Sequence, residues 1–118
     1  MAYQMDLSVS PSADARLRAK ARQVFYKMKG STHFSREELY AVLFIYFKLT
    51  QRGPMDKELF EDAIARIFKI TDSETLDRIF MLIETPSHRV GPVGWARLLS
   101  TFCRGTLDEK VDFVFQVP

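Results

Sequence analysis

The chain has a single cysteine, Cys103, so no disulfide can form within it, and a reducing, cytoplasmic setting fits that count. It has two histidines, His33 and His88, so His and Cys together offer three ligands from distant segments, too few for a zinc site. No stretch of about 18 apolar residues occurs, which excludes a helical membrane span. The first residues, MAYQMDLSVSPSADA, lack the basic start and apolar stretch of a secretory signal. The net charge of +2 is too small to argue for nucleic acid. Also missing are a glycine-rich phosphate loop, a nucleophile elbow and a paired-carboxylate motif. A cysteine–histidine nucleophile pair has no supporting motif. The sequence therefore reads as non-catalytic and without a cofactor.

What is present is apolar and periodic. Hydrophobic residues make up 47% of 118 residues, with ten Phe, four Tyr and one Trp, enough for one domain around one core. Residues 1–12 are polar and read as a flexible tail, with a single domain over 13–118. A helix is expected from Ser12 or Ala13 to Gly30, with Leu17, Ala21, Val24, Phe25 and Met28 in one stripe. Three capping boxes, a Ser or Thr followed three residues later by Glu, stand at Ser35…Glu38, Thr71…Glu74 and Thr106…Glu109. Each precedes an apolar run: Leu39, Val42, Leu43, Tyr46 and Phe47; then Leu76, Ile79, Phe80 and Ile83; then Val111, Val114 and Phe115. Asp56 can cap a further helix through Phe60, Ile64, Ile67 and Phe68. Pro92 can open one through Trp95, Leu98, Leu99 and Phe102. The expectation is an all-α domain of about six helices. Helices 36–48 and 57–69 form one helix-loop-helix unit and helices 73–83 and 92–103 a second, each burying the other's apolar face.

With these elements in place, the segment from Leu39 to Phe115 resembles the EF-hand superfamily, in its calaxin-like branch related to the neuronal calcium sensors. The link Arg104-Gly105-Thr106-Leu107-Asp108-Glu109-Lys110 carries the likeness, together with the pattern from Met55 to Phe80. The resemblance does not reach residues 1–30. It implies an N-terminal lobe, because Pro118 falls where a further calcium loop would begin. It also implies two ion loops, and both depart from the ligand pattern. Such a loop needs oxygen ligands at positions 1, 3 and 5, glycine at 6 and a bidentate Glu at 12 of about twelve residues. Counted forward, the second loop has Glu84 at position 1, then Pro86, His88 and Arg89 at positions 3, 5 and 6; counted back from Trp95, Gly94 is position 12. The first loop starts at Thr50 and is shorter still, with Met55 at the apolar position 8 and Leu59 at position 12. The degenerate positions Thr50, Glu84, His88 and Gly94 supply one acid between them. No metal is expected.

Two surfaces carry functional expectations. Phe44, Phe47, Phe60, Phe68, Met81 and Trp95 are either ordinary core or an apolar groove for a partner helix, the target-binding mode the resemblance implies. Between Asp14 and Lys29, six basic residues (Arg16, Arg18, Lys20, Arg22, Lys27 and Lys29) face one acid. They are either a solvated face or a dock for an acidic partner, with an anionic membrane surface as the second choice. The likeness implies tubulin or dynein-associated proteins as partners, in the cytoskeleton of a cilium or flagellum, where a pseudo-EF-hand lobe would act as an adaptor or structural component. The rival reading is a regulatory partner of a channel, kinase or phosphatase outside cilia.

Overall fold

Charged ends and apolar faces of single helices decide where each element begins and which way it turns. The computed structural model describes residues 9–104, and these form five helices. α1 spans Pro11–Met28, α2 Arg36–Leu49, α3 Lys57–Phe68, α4 Ser73–Ile83 and α5 Pro92–Arg104. Among the described residues there is no strand. The sixth expected helix, with Thr106, Glu109, Val111, Val114 and Phe115, lies outside the described residues.

α1 begins at Pro11, just ahead of the expected start at Ser12 or Ala13 and inside the expected tail. Ser10 caps it by accepting the Ala13 N–H at 3.2 Å, and Pro11 follows at a position that needs no donor. Leu17, Ala21, Phe25 and Met28 are buried at spacings of four, four and three, and Val24 is half-buried at the edge of that face. After Lys29 the chain turns at Gly30, whose φ of 83° suits a residue without Cβ. The following connection is tied to α5: the His33 N–H donates to the buried Ser100 hydroxyl at 2.8 Å.

The capping box at α2 forms as read. Ser35 Oγ accepts the Glu38 N–H at 3.2 Å, and Glu38 accepts the Ser35 N–H at 3.0 Å. The box expected at Thr71 does not form. Asp72 is the cap of α4, accepting from the Glu74 N–H at 3.2 Å and from the Thr75 hydroxyl at 2.6 Å. A carboxylate one residue closer to the helix competes with the Thr71 hydroxyl, and its charge suits the positive helix end. Asp56 caps α3 as expected, accepting the Leu59 N–H at 2.9 Å. α3 stops at Lys69, a left-handed residue with φ 59°.

α2 and α5 each contribute to two apolar clusters. One cluster joins Leu39, Leu43 and Phe44 to the buried face of α1 and to Ala96 of α5. The other joins Tyr46 and Leu49 to residues of α3, α4 and α5, with Phe60, Ile64, Phe80, Trp95 and Leu98 at its centre. This accounts for Val42, Leu43, Phe44, Tyr46 and Phe47, since a helix packed on two sides needs apolar residues on two faces, while Ile45 between them is exposed. The second cluster draws on both helix-loop-helix units, so each unit covers the other's apolar side as expected.

The reassigned cap gives a direct check. Asp72→Ala is expected to lower stability by about 1 kcal/mol, while Thr71→Ala changes it far less, as read by chemical denaturation followed through Trp95 fluorescence.

Candidate binding site: the paired loops and the flanking surfaces

The two loops meet at a pair of buried apolar residues, Met55 and Val90, both almost fully inaccessible. The Val90 N–H donates to the Met55 carbonyl at 2.9 Å. The Val90 carbonyl accepts the Tyr46 hydroxyl at 2.6 Å, so both polar groups of Val90 are satisfied by protein atoms. Counted back from Trp95, Val90 holds the same apolar loop position as Met55. The sequence reading used Met55 for that count and passed over Val90; its signal was there, an apolar residue four places before Gly94. Tyr46 was read only as a core residue. Burial pushes its phenol up to about 12.

In the first loop, two side chains are turned back toward the end of α2. The Thr50 hydroxyl donates to the Tyr46 carbonyl at 3.0 Å, and the Gln51 amide donates to the Lys48 carbonyl at 3.0 Å. Asp56 is engaged as the α3 cap. A shallow hollow of about 270 Å³ beside the loop is lined by Leu49, Pro54 and Leu59 and by charged residues that include Arg52. A cation there would meet the Arg52 guanidinium beside two carboxylates, Glu58 and Asp56, the second already used as the α3 cap.

The second loop has become a tight turn. The His88 N–H donates to the Thr85 carbonyl at 2.8 Å, and the Thr85 N–H donates to the Arg89 carbonyl at 2.7 Å. This is the hydrogen-bond pattern of a short hairpin connection, with Pro86 leading the turn and His88 left-handed at φ 61°. His88 Nδ1 lies 2.8 Å from Glu84 Oε1, so the loop's one acid is already engaged. Gly94 sits inside the first turn of α5 against Ile83 and offers no carboxylate. Calcium needs six to eight oxygens, and this donor set does not match. Among the described residues no three His, Cys, Asp or Glu side chains stand together as metal ligands.

The six aromatic and methionine candidates do not share one surface. Phe60 and Trp95 lie at the centre of the core, with 0% exposure. The Phe60 ring packs 5.8 Å from Phe80, and the Trp95 indole N–H donates to the Val42 carbonyl at 3.2 Å. Neither reaches a partner in this conformation, which corrects their reading as contact residues. Phe47 is half-buried against Tyr46, and Phe68 is half-buried against Phe102. Phe44 is buried with the Arg18 guanidinium and the Lys48 ammonium over its ring at 4.5 and 4.7 Å. Met81 alone of the six is exposed, at 61%. The five basic residues of α1 and Lys29 just after it are all exposed. Arg18 pairs with Asp14 at 2.8 Å, and Lys29 lies over the Tyr26 ring.

A charged cluster ties α3 to α4. Lys57 Nζ lies 2.8 Å from Asp77 and 3.9 Å from Glu61. Lys57 holds the Asp77 carboxyl below its usual range, whereas burial, with Asp77 beside it, pushes Glu61 up. One Glu61 oxygen is buried without a hydrogen-bond partner.

These features define the class: an all-helical, EF-hand-like pair of helix-loop-helix units behind an additional basic helix. No family model matches the chain. It is similar to the calaxins. Xenopus laevis calaxin is 30% identical over 94 residues, covering 72% of this chain and 45% of the relative. Bos taurus calaxin is 29% identical over 98 residues, covering 75% and 46%. Danio rerio calaxin is 34% identical over 64 residues, covering 53% and 30%. The chain thus spans less than half the length of the curated relatives it matches.

Three outcomes follow from the geometry. Tyr46→Phe should cost about 1–3 kcal/mol, the cost of leaving the buried Val90 carbonyl unpaired. In the wild-type protein one tyrosine should ionise near 12, read by absorbance at alkaline pH. The folded phenol holds its proton more tightly than the unfolded one, so this contribution is intact below pH of about 10 and is lost as pH rises toward 12. For Glu61 the folded carboxyl is also raised, so ionising it at neutral pH opposes folding. Glu61→Gln, which offers Asp77 an amide donor in place of a second carboxylate, should raise the melting temperature at pH 7 and leave it nearly unchanged at pH 4.

Proposed function

We propose that this chain is a non-catalytic, calcium-independent protein-binding lobe, an adaptor or structural component of ciliary or flagellar axonemes. Its place there would be at a doublet-microtubule or dynein-docking assembly, with tubulin or dynein-associated proteins as partners. The observation that carries the calcium-independent part is the way the loops close. Val90, Met55 and Tyr46 join them through protein atoms alone, and Glu84, the one acid of the second loop, is held by His88. In an ion-gated pair, oxygens left over by the backbone wait for the metal. Here the loop hydroxyls and carboxylates described above are used in caps and turns.

The axonemal part rests on similarity to the calaxins over about three quarters of the chain. The lobe would hold one conformation at all calcium levels and engage its partner through fixed contacts. A metal that binds the native state at a hundredfold excess over its Kd stabilises it by about 2.7 kcal/mol, a shift of many degrees for a domain this small. Millimolar calcium should therefore leave the melting temperature of this protein unchanged. A clear upward shift would overturn the calcium-independent reading. Purification from ciliated tissue should bring down tubulin or dynein-complex proteins; a channel or soluble enzyme as the main companion would overturn the axonemal one.

A further inference from the structure

The outer face of α1 has an order that its composition does not show. At 3.6 residues per turn, Arg16, Lys20 and Lys27 fall in one row along the helix. Arg18 and Arg22 lie on the opposite flank, and Lys29 follows just past the end of the helix. The strip between the flanks is Ala15, Ala19, Gln23 and Tyr26, all exposed. The two flanks are separated by roughly the width of a helix, about 10 Å. Among the described residues no ion pair engages Arg16, Lys20, Arg22 or Lys27, and the helix's one acid, Asp14, is held by Arg18.

From this arrangement we infer that α1 is a docking surface for an acidic polypeptide segment lying lengthwise along the helix. The segment sits over the low Ala15–Ala19 strip, with Arg16, Lys20 and Lys27 reaching its carboxylates from one side and Arg22 from the other. Charge complementarity selects the occupant. A membrane surface is the poorer fit, because an interfacial helix needs large apolar side chains on the buried face. On this strip only Tyr26 is large, and the leucine, phenylalanine and methionine of α1 are turned into the core. The inference deepens the protein-binding reading, on which it rests, but uses neither loop, so the calcium experiment tests that reading separately.

The test is fluorescence anisotropy with labelled poly-L-glutamate at low salt. Binding is expected, and it should weaken as salt is added. The triple variant Arg16→Glu, Lys20→Glu, Lys27→Glu should lose at least about tenfold in affinity, the sum of several exposed charge contacts. The triple variant Lys69→Glu, Arg89→Glu, Arg97→Glu makes the same change in net charge on exposed residues elsewhere and should lose less than about threefold. Circular dichroism and Trp95 emission check that each variant is folded. Should the first triple unfold, Arg16→Gln, Lys20→Gln, Lys27→Gln keeps good helix formers and should still weaken binding more than the control. Three results would overturn the inference: no binding of poly-L-glutamate by the wild-type chain, equal losses in both triples, or tighter binding to phosphatidylserine vesicles than to poly-L-glutamate.

Discussion

The Val90–Met55 hydrogen bond, with the Tyr46 hydroxyl on the other side of the same residue, is the constraint on which the arrangement of both units depends. Loops are costly to bury because each residue brings a donor and an acceptor that need partners. Val90 is buried almost completely, and its N–H and C=O are both answered, at 2.9 and 2.6 Å. That lets the loop carry the Val90 side chain into the same buried cluster as Trp95 and Leu98. Tyr46 can deliver its hydroxyl there because its ring lies in the same cluster, close to Phe47 and Trp95. One side chain thus contributes apolar area and satisfies a carbonyl.

From that junction the two clusters follow. α2 runs past the loop junction at its C-terminal end and against α1 along the rest. The contact with α1 needs a close approach from α5 as well, and Ala96, with 0% exposure, leaves room for it. The hydrogen bond from His33 to Ser100 then fixes the α1–α2 connection against the same helix. α1 is therefore part of the packed body, and its basic outer face is held at a set orientation relative to the pair of units.

Much of this was legible in the residues, and where it was not the reasons are physical. Helix positions were readable because the stripes are strong and the breaks are marked by Gly, Pro and capping residues. Ser35 and Asp56 cap as their positions predict, whereas Thr71 lost to Asp72, since two capable side chains stood side by side and only geometry chooses between them. Ser10 was missed for a related reason: a polar tail hides a cap when Ser8, Ser10 and Ser12 stand around the same proline. The scarcity of carboxylates in the two loops is legible in the sequence itself. Their actual closure is not, because it depends on a hydroxyl that arrives from a helix 44 residues away in sequence. The aromatic candidates show the same limit. Spacing cannot tell the inward side of a helix packed on two sides from a face left for a partner, so Phe60 and Trp95 were grouped with Met81 although they point into the core.

That inward placement bears on how such a lobe can recognise anything. To present an inner groove, the units would have to separate and expose residues such as Phe60 and Trp95. Exposing each fully buried large apolar side chain costs about 2–3 kcal/mol, and further polar groups at the Val90 junction would lose their partners. Moving a two-state element from one form to the other takes about 5.5 kcal/mol of differential affinity. In an ion-gated lobe the metal supplies it. On the calcium-independent reading proposed above, the partner would have to provide all of it. Recognition that leaves the core closed avoids that cost. It must then use side chains already outside: Met81, the rim around Phe44 with its two cations, and above all the outer face of α1, where charge is already in place and nothing has to open.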